Sequence, residues 1–240
     1  MPGFGRSRLE SGRGSGRALF YPDAGVDPFY ADLFLGFNGL NRLLLKEDFC
    51  SIHASCVRVG GRGILFTGPS GSGKSTAALA IARRGHPLLN DEQILLLQEK
   101  GGYHCFTLSD MIKLKEENLA RFFPELLPEK PYIEVSGERY YKASATPGLQ
   151  HTPTATADFL ITFVKTGKAE STLERIKPSR AVSELFPVTM GSFDPGMATQ
   201  KFNFLMPFLQ QIRCYRIHFG TDMDCFANLV ERIASDENMA

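Results

Sequence analysis

Apolar residues along the chain recur either every second residue or at helical spacing, and the change from one to the other marks its elements. Phe29, Leu33, Phe37, Leu40 and Leu44 recur at helical spacing, which predicts an amphipathic helix opening near Asp27 or Pro28. The pattern then shortens. Cys50–Val59 and Gly63–Thr67 read as strands around a Gly60-Gly61 turn, a hairpin signal. Residues 74–84 set Ala, Leu and Ile at helical spacing and end on Arg83-Arg84-Gly85, a cationic last turn with a glycine stop. Short strands are predicted at Pro87–Leu89, Gln93–Gln98 and, beyond Gly101-Gly102, Tyr103–Leu108.

Further on, Glu116–Phe123 predicts a short helix before Pro124, and Tyr132–Val135 with Arg139–Ala143 a hairpin about Ser136-Gly137-Glu138. Residues 144–156 form a Thr/Pro/Gly loop without periodicity, a candidate lid or substrate loop. Phe159–Val164 and Ser171–Ile176 read as strands, and Pro178–Phe186 as a helix with proline in its first turn. A helix over 198–211, interrupted or kinked near Pro207, leads to a strand at Arg213–Phe219 and a last helix, capped by Asp222, to about Ser235. No repeat or second composition regime intervenes. The expectation is one α/β domain over 18–240, preceded at 1–17 by a flexible arm in which Arg6, Arg8, Arg13 and Arg17 stand among Gly and Ser.

Composition narrows the function classes. At 240 residues the chain has room for one full core, and 27 Lys plus Arg against 26 Asp plus Glu leaves a net charge of +1. That balance gives no support for a nucleic-acid or membrane-surface partner, which would call for a basic excess. No stretch reaches the roughly 20 apolar residues of a membrane span, and the basic start lacks the apolar centre of a signal peptide, so the cytoplasm is expected. The five cysteines form no C-x-x-C or Cys/His spacing and read as buried or incidental reduced thiols.

The chemistry concentrates in Gly68-Pro69-Ser70-Gly71-Ser72-Gly73-Lys74-Ser75, a full match to the phosphate-loop pattern G-x-x-x-x-G-K-[ST]. Chance would produce such a match in roughly one sequence of this composition in a hundred. Here the match also follows a strand-like run and opens a helix. Glycines let backbone N–H groups wrap an anion, and the helix presents its positive end. Lys74 would neutralise β- and γ-phosphate charge and Ser75 would ligate Mg²⁺, while Thr76 supports the loop. ATP and magnesium are therefore the expected ligands. The acidic pair Asp91-Glu92, seventeen residues after Lys74, supplies one carboxylate for the metal and one to accept a proton from an attacking hydroxyl. His53 is a third candidate, expected on the strand paired with the one that feeds the loop.

His53-Ala-Ser, Gly63-Ile-Leu-Phe-Thr-Gly-Pro-Ser-Gly-Ser-Gly-Lys-Ser-Thr and Arg84-Gly-His-Pro-Leu-Leu-Asn-Asp-Glu92 together resemble the catalytic domain of bacterial HPr kinase/phosphorylase. They also resemble the wider group with a phosphoenolpyruvate-carboxykinase-like phosphate loop. The motif-rich likeness covers about 50–98. It implies a mixed sheet with flanking helices, ATP phosphates on Gly68–Ser75, Mg²⁺ on Ser75 and Asp91, and catalytic roles for Asp91, Glu92, His53 and Lys74. That family has two aspartates where this chain has Asp91-Glu92. Its Arg-Gly-Leu-Gly signature and separate N-terminal domain have no counterpart here, so the chain resembles a stand-alone type such as the kinases of lasso-peptide precursors. The resemblance implies a serine-bearing protein or peptide as substrate, and leaves open a homo-oligomer and which acid is the base. Carboxykinase activity is not expected, since no residues remain for that enzyme's substrate domain. Two other readings stay open: a kinase of a small hydroxylated metabolite, and a nucleotide-responsive regulator with little turnover.

Overall fold

The computed structural model describes residues 5–12, 15–22, 44–45, 48–128, 132–135, 138–189 and 195–235. The helix predicted from Phe29 lies outside them, apart from helical backbone at Leu44 and Leu45. Within the stretch read as a flexible arm and just after it, β1 (Gly5–Gly12) and β2 (Ser15–Pro22) pair antiparallel from Gly5↔Pro22 to Gly12↔Ser15, so the backbone there is regular.

A mixed sheet of nine strands forms the body of the fold, in the order β3 (Phe49–His53), β7 (Gln93–Glu99), β8 (Gly102–Phe106), β12 (Thr154–Lys165), β5 (Arg62–Thr67), β4 (Ser55–Val59), β6 (Leu88–Asn90), with β14 (Arg213–Phe219) also on β12 and β13 (Thr172–Arg175) on β14. The long β12 is its spine. Along one edge it runs parallel to β5; along the other its first three residues pair with β8 and Phe159–Lys165 pair with β14. An irregularity between Ala157 and Phe159 marks the changeover, where the strand must bend to serve two neighbours.

Alternation along the central strands splits the core in two. Val57, Val59, Ile64, Phe66, Phe159, Ile161 and Phe163 face one cluster with helices α1 (Lys74–Ala82) and α5 (Met223–Ser235). Cys56, Leu65 and Leu160 face another, covered by α3 (Pro178–Thr189) and α4 (Pro195–Gln211). Strands covered on both faces read as continuous apolar runs, and Ile64–Phe66 and Phe159–Phe163 do so. Helix α1 is buried nearly all round, and its alanines let it lie close against β4 and β5. It ends, as the glycine stop predicts, with Gly85 at φ +91° and its N–H on the Ala82 carbonyl. In α5, Asp222 Oδ1 accepts the Cys225 N–H at 2.9 Å, the predicted cap. Pro207 leaves α4 as one assigned helix through to Gln211. Cys50, Cys56, Cys105 and Cys214 are buried and all five thiols are free. Among the described residues no helix is long and apolar enough to cross a membrane.

Two expectations need correcting. Cys50–Val59 is two strands divided at Ala54: β3 pairs with β7, and only β4 pairs with β5. Residues after Leu108, left without a strand, form β9 (Met111–Lys115), which joins β11 (Glu138–Lys142) and β10 (Tyr132–Val135) in a separate three-stranded sheet beside α2 (Glu116–Phe122).

Phe66 sits at the centre of the first cluster, fully buried, with ring contacts to Phe163 at 5.8 Å and Phe226 at 5.9 Å. Phe66→Ala is expected to remove about 3–5 kcal/mol of stability by urea titration. A loss under about 1 kcal/mol would show that this cluster is not the anchor of the fold.

Candidate active site

The segment Gly68–Gly73 joins β5 to α1 and turns through glycines at positive φ: Gly68 at +151°, Gly71 at +75° and Gly73 at +112°. Gly73 has a second reason to lack a side chain, since a Cβ there would lie 2.8 Å from the Phe219 ring at the end of β14. Ser72 N–H donates to the Pro69 carbonyl at 3.1 Å, closing the turn. The Lys74 ammonium folds back on the loop and donates to the carbonyls of Gly68 (3.0 Å) and Pro69 (3.2 Å). Burial lowers its pKa, a fall deepened by Lys113 and opposed by the charges of Asp91 and Glu92. Thr76 is buried behind the loop, and Ser70 is exposed at its tip.

Asp91 and Glu92 occupy the bend between β6 and β7. Asn90 makes that bend: its Oδ1 accepts both the Asp91 N–H (2.5 Å) and the Glu92 N–H (2.9 Å), a side chain standing in for a turn carbonyl. The two acids then diverge. Asp91 is 1% exposed; its Oδ1 accepts from Ser55 Oγ (2.5 Å) and its Oδ2 from the Lys113 N–H (3.0 Å), and the Ser75 hydroxyl lies near enough to help hold its pKa down. Burial pushes its pKa up to about 7, against the pull of those three donors and with a further rise from Glu92. Glu92 instead lines the open cleft and pairs with Lys113 Nζ at 2.5 Å, which also reaches Glu138 at 3.5 Å. Burial draws the Lys113 pKa down, but the Glu92 and Glu138 carboxylates outweigh it and the net shift is upward.

His53 reaches the same place by a route other than the one expected. It ends β3 opposite Gln93, and is tied to the end of β5 by Thr67 Oγ1 donating to its carbonyl at 3.1 Å. Its Nδ1 lies 3.0 Å from the Glu92 carbonyl, which can only accept. Nδ1 therefore carries the proton in the neutral ring, leaving a lone pair on Nε2. Burial and then the Lys74 charge lower the His53 pKa, with Lys113 adding to the fall, over the opposing effect of Glu92. Behind it, buried Lys201 donates to the carbonyls of Ser51 (3.2 Å) and Thr189 (3.0 Å), and Thr189 Oγ1 accepts the His53 N–H at 3.4 Å, which fixes this strand end from the rear.

His53, Lys74, Ser75, Glu92 and Lys113 line a cleft of about 580 Å³ between the phosphate loop, the β9–β11 sheet with α2, and the Lys165–Gly167 and Phe219–Thr221 loops. Lys113 and Arg121 line it and were not legible in sequence; the alternation Met111–Lys115 was the missed signal. Arg139, Lys142 and Arg175 are not among its lining residues, and Arg139 packs instead on Tyr132 and pairs with Glu116. The 144–156 loop does not line it either. The donor set suits a magnesium nucleotide. Ser75 and Asp91 stand close together, the Ser72 hydroxyl is buried in the loop without a partner, and the positive-φ glycines leave room for phosphate oxygens. Among the described residues no cluster of three or more His, Cys, Asp or Glu side chains could hold a metal by itself, so phosphate oxygens would have to complete a magnesium shell.

A carboxyl whose folded pKa exceeds its unfolded value adds stability below the unfolded pKa and withdraws it as pH rises through the folded one. For Asp91 that window runs from the ordinary aspartate value of 3.8 to about 7. Without nucleotide, Asp91→Asn is therefore expected to gain on the parent protein as pH rises across it, by at most about 4 kcal/mol, on top of a pH-independent offset. Parallel melting profiles from pH 4 to 8 would contradict the burial of a lone carboxyl here.

Residues 46–114 match the family described as HPr Serine kinase C-terminal domain. The chain is 47% identical over 71 residues to HPr kinase/phosphorylase of Mycoplasmopsis pulmonis, covering 28% of this chain and 23% of that protein. It is 43% identical over 62 residues to the Pediococcus pentosaceus protein of the same name, covering 26% and 19%. It is also 45% identical over 49 residues to that of Lactobacillus acidophilus, covering 20% and 15%. The chain thus spans less than a quarter of the length of these curated relatives. The Hpr(Ser) kinase/phosphatase of Coxiella burnetii superposes with a TM-score of 0.39 at 19% identity, over 77% of this chain and 93% of that one, too loose a fit to add weight. From β3 through the acidic bend into β9, the chain is similar to the HPr serine kinase C-terminal domain.

Proposed function

We propose that this chain is an ATP- and Mg²⁺-dependent kinase of the cytoplasm that transfers the γ-phosphoryl group to a serine hydroxyl of a protein or peptide, with 18–240 as its catalytic domain. One observation carries the reading: the buried Asp91 carboxylate stands beside Ser75 of the phosphate loop, while its neighbour Glu92 opens into the same cleft as Lys74 and His53. A loop built only to bind an anion has no use for a second, differently placed acid.

In this reading Gly68–Thr76 cradles the triphosphate, and Lys74 leaves its loop carbonyls for the β- and γ-phosphates. Ser75 and Asp91 hold the metal, which when bound spreads the charge that builds on the phosphate oxygens. Glu92 accepts the proton of the attacking hydroxyl, Lys113 fixes its carboxylate, and His53 offers Nε2 towards the same space. Transfer between aligned oxygens is mostly positioning and charge neutralisation, and these residues supply both. The serine acceptor rests on the matched family, whose description is that of a serine kinase.

Lys74→Ala is expected to weaken ATP binding by tenfold or more, since it removes a charge-assisted contact worth about 1.5–3 kcal/mol. Glu92→Gln should lower kcat by about a hundredfold or more while leaving ATP affinity within a few-fold. Asp91→Asn should cost turnover more than nucleotide affinity. Calorimetry with ATP and magnesium, beside single-turnover transfer from labelled ATP, separates these effects. Equal losses of affinity and turnover in all three variants would overturn the roles given, and label passing only to small metabolites would overturn the peptide acceptor.

A further inference from the structure

The three-stranded sheet β10–β11–β9 has two unlike faces. One carries Ile112, Leu114 and Tyr141 into the first core cluster, with Tyr132 packed against it. Residues directly opposite across antiparallel strands share a face, so the registers Lys113↔Tyr140 and Tyr140↔Ile133 put these three side chains in one row on the other face. That row begins at the catalytic cleft, since Lys113 lines it and pairs with Glu92. It ends at Ile133, which is 61% exposed, one of four large apolar side chains exposed among the described residues. Half-buried Tyr140 stands between them, close enough for the charges of Lys113, Glu138, Glu92 and Asp91 to act on its phenol. On the same face Lys115 and Lys142 flank the row, exposed, with Glu138 the opposing acid.

We propose that this face is the acceptor platform: an extended polypeptide segment lies across β9, β11 and β10, with its hydroxyl at Glu92 and a large apolar side chain on Tyr140 and Ile133. The proposal rests on the kinase reading above and names what that kinase accepts. The platform is continuous with the cleft, and its two flanking lysines favour a segment of net negative charge. Two strand spacings separate Lys113 from Ile133, about 10 Å. An extended chain covers that in about three residues. The apolar side chain should therefore sit about three positions from the serine.

The test is a positional-scanning peptide library with serine fixed at its centre, phosphorylated by the full chain with labelled ATP and magnesium. Parent protein, Ile133→Lys and Tyr140→Ala are compared, and ATP affinity of each is measured by calorimetry. The expected result is a preference of about fivefold or more for Leu, Ile, Met or Phe around the third position on one side of the serine, from partial burial of one apolar side chain. Acidic residues at intervening positions should add to it. Both variants should lose the apolar preference and raise the peptide KM with ATP affinity unchanged. Labelled peptides without that preference, or with the same preference in both variants, overturn the platform and leave the kinase standing. An altered oligomeric state in Ile133→Lys with the peptide preference intact would assign the row to contacts between copies, and also overturns it. No label in any peptide while ATP still binds overturns the kinase reading, and the platform with it.

Discussion

A single buried carboxylate decides where three elements stand. Asp91 accepts hydrogen bonds from Ser55 at the start of β4 and the backbone of Lys113 in β9, and stands beside Ser75 in the first turn of α1. A charge or a lone carboxyl taken out of water is costly unless its lone pairs are filled, so each donor must be brought to it. The phosphate loop, the acidic bend and the three-stranded sheet are thereby fixed relative to one another. Burial still wins over the donors, which is why the carboxyl sits near pKa 7 and not at the value of an exposed aspartate. A site that gathers charge for a ligand carries that cost when the ligand is absent, as functional sites commonly do.

The same arrangement separates two acids that are neighbours in sequence. Asn90 turns the chain so that Asp91 points inward and Glu92 outward. Asp91 thereby meets the Ser55 hydroxyl behind the cleft, while the Glu92 carboxylate reaches Lys113 within it.

What the sequence made legible was local. The phosphate loop, its glycines and the stop at Gly85 depend on near neighbours in the chain, and they stand where the pattern put them. The apolar runs of β5 and β12 also announced strands covered on both faces. Pairing over long separations was not legible. Adjacency suggested that His53 lay in a hairpin with β5, but β3 pairs with β7, some forty residues on, and only its neighbour β4 forms that hairpin. Met111–Lys115 hid because its alternation is short and runs straight into the charged start of α2, which reads as helix. With that strand hidden, Lys113 could not be seen as a partner of Glu92, nor could its backbone be seen to complete the shell around Asp91.

Lys113 is where fold and chemistry meet. Its backbone N–H serves the inward acid and its ammonium the outward one, so one residue on one strand holds both carboxylates in their different states. Strand alternation makes this possible: the backbone lies at the sheet edge facing Asp91, while the side chain stands on the cleft face beside Glu138. The neighbours Ile112 and Leu114 point the other way into the core and set the strand's register. A one-residue slip of β9 would turn Lys113 inward and expose its apolar neighbours, so the packing of two aliphatic side chains enforces the placement of the charge between them.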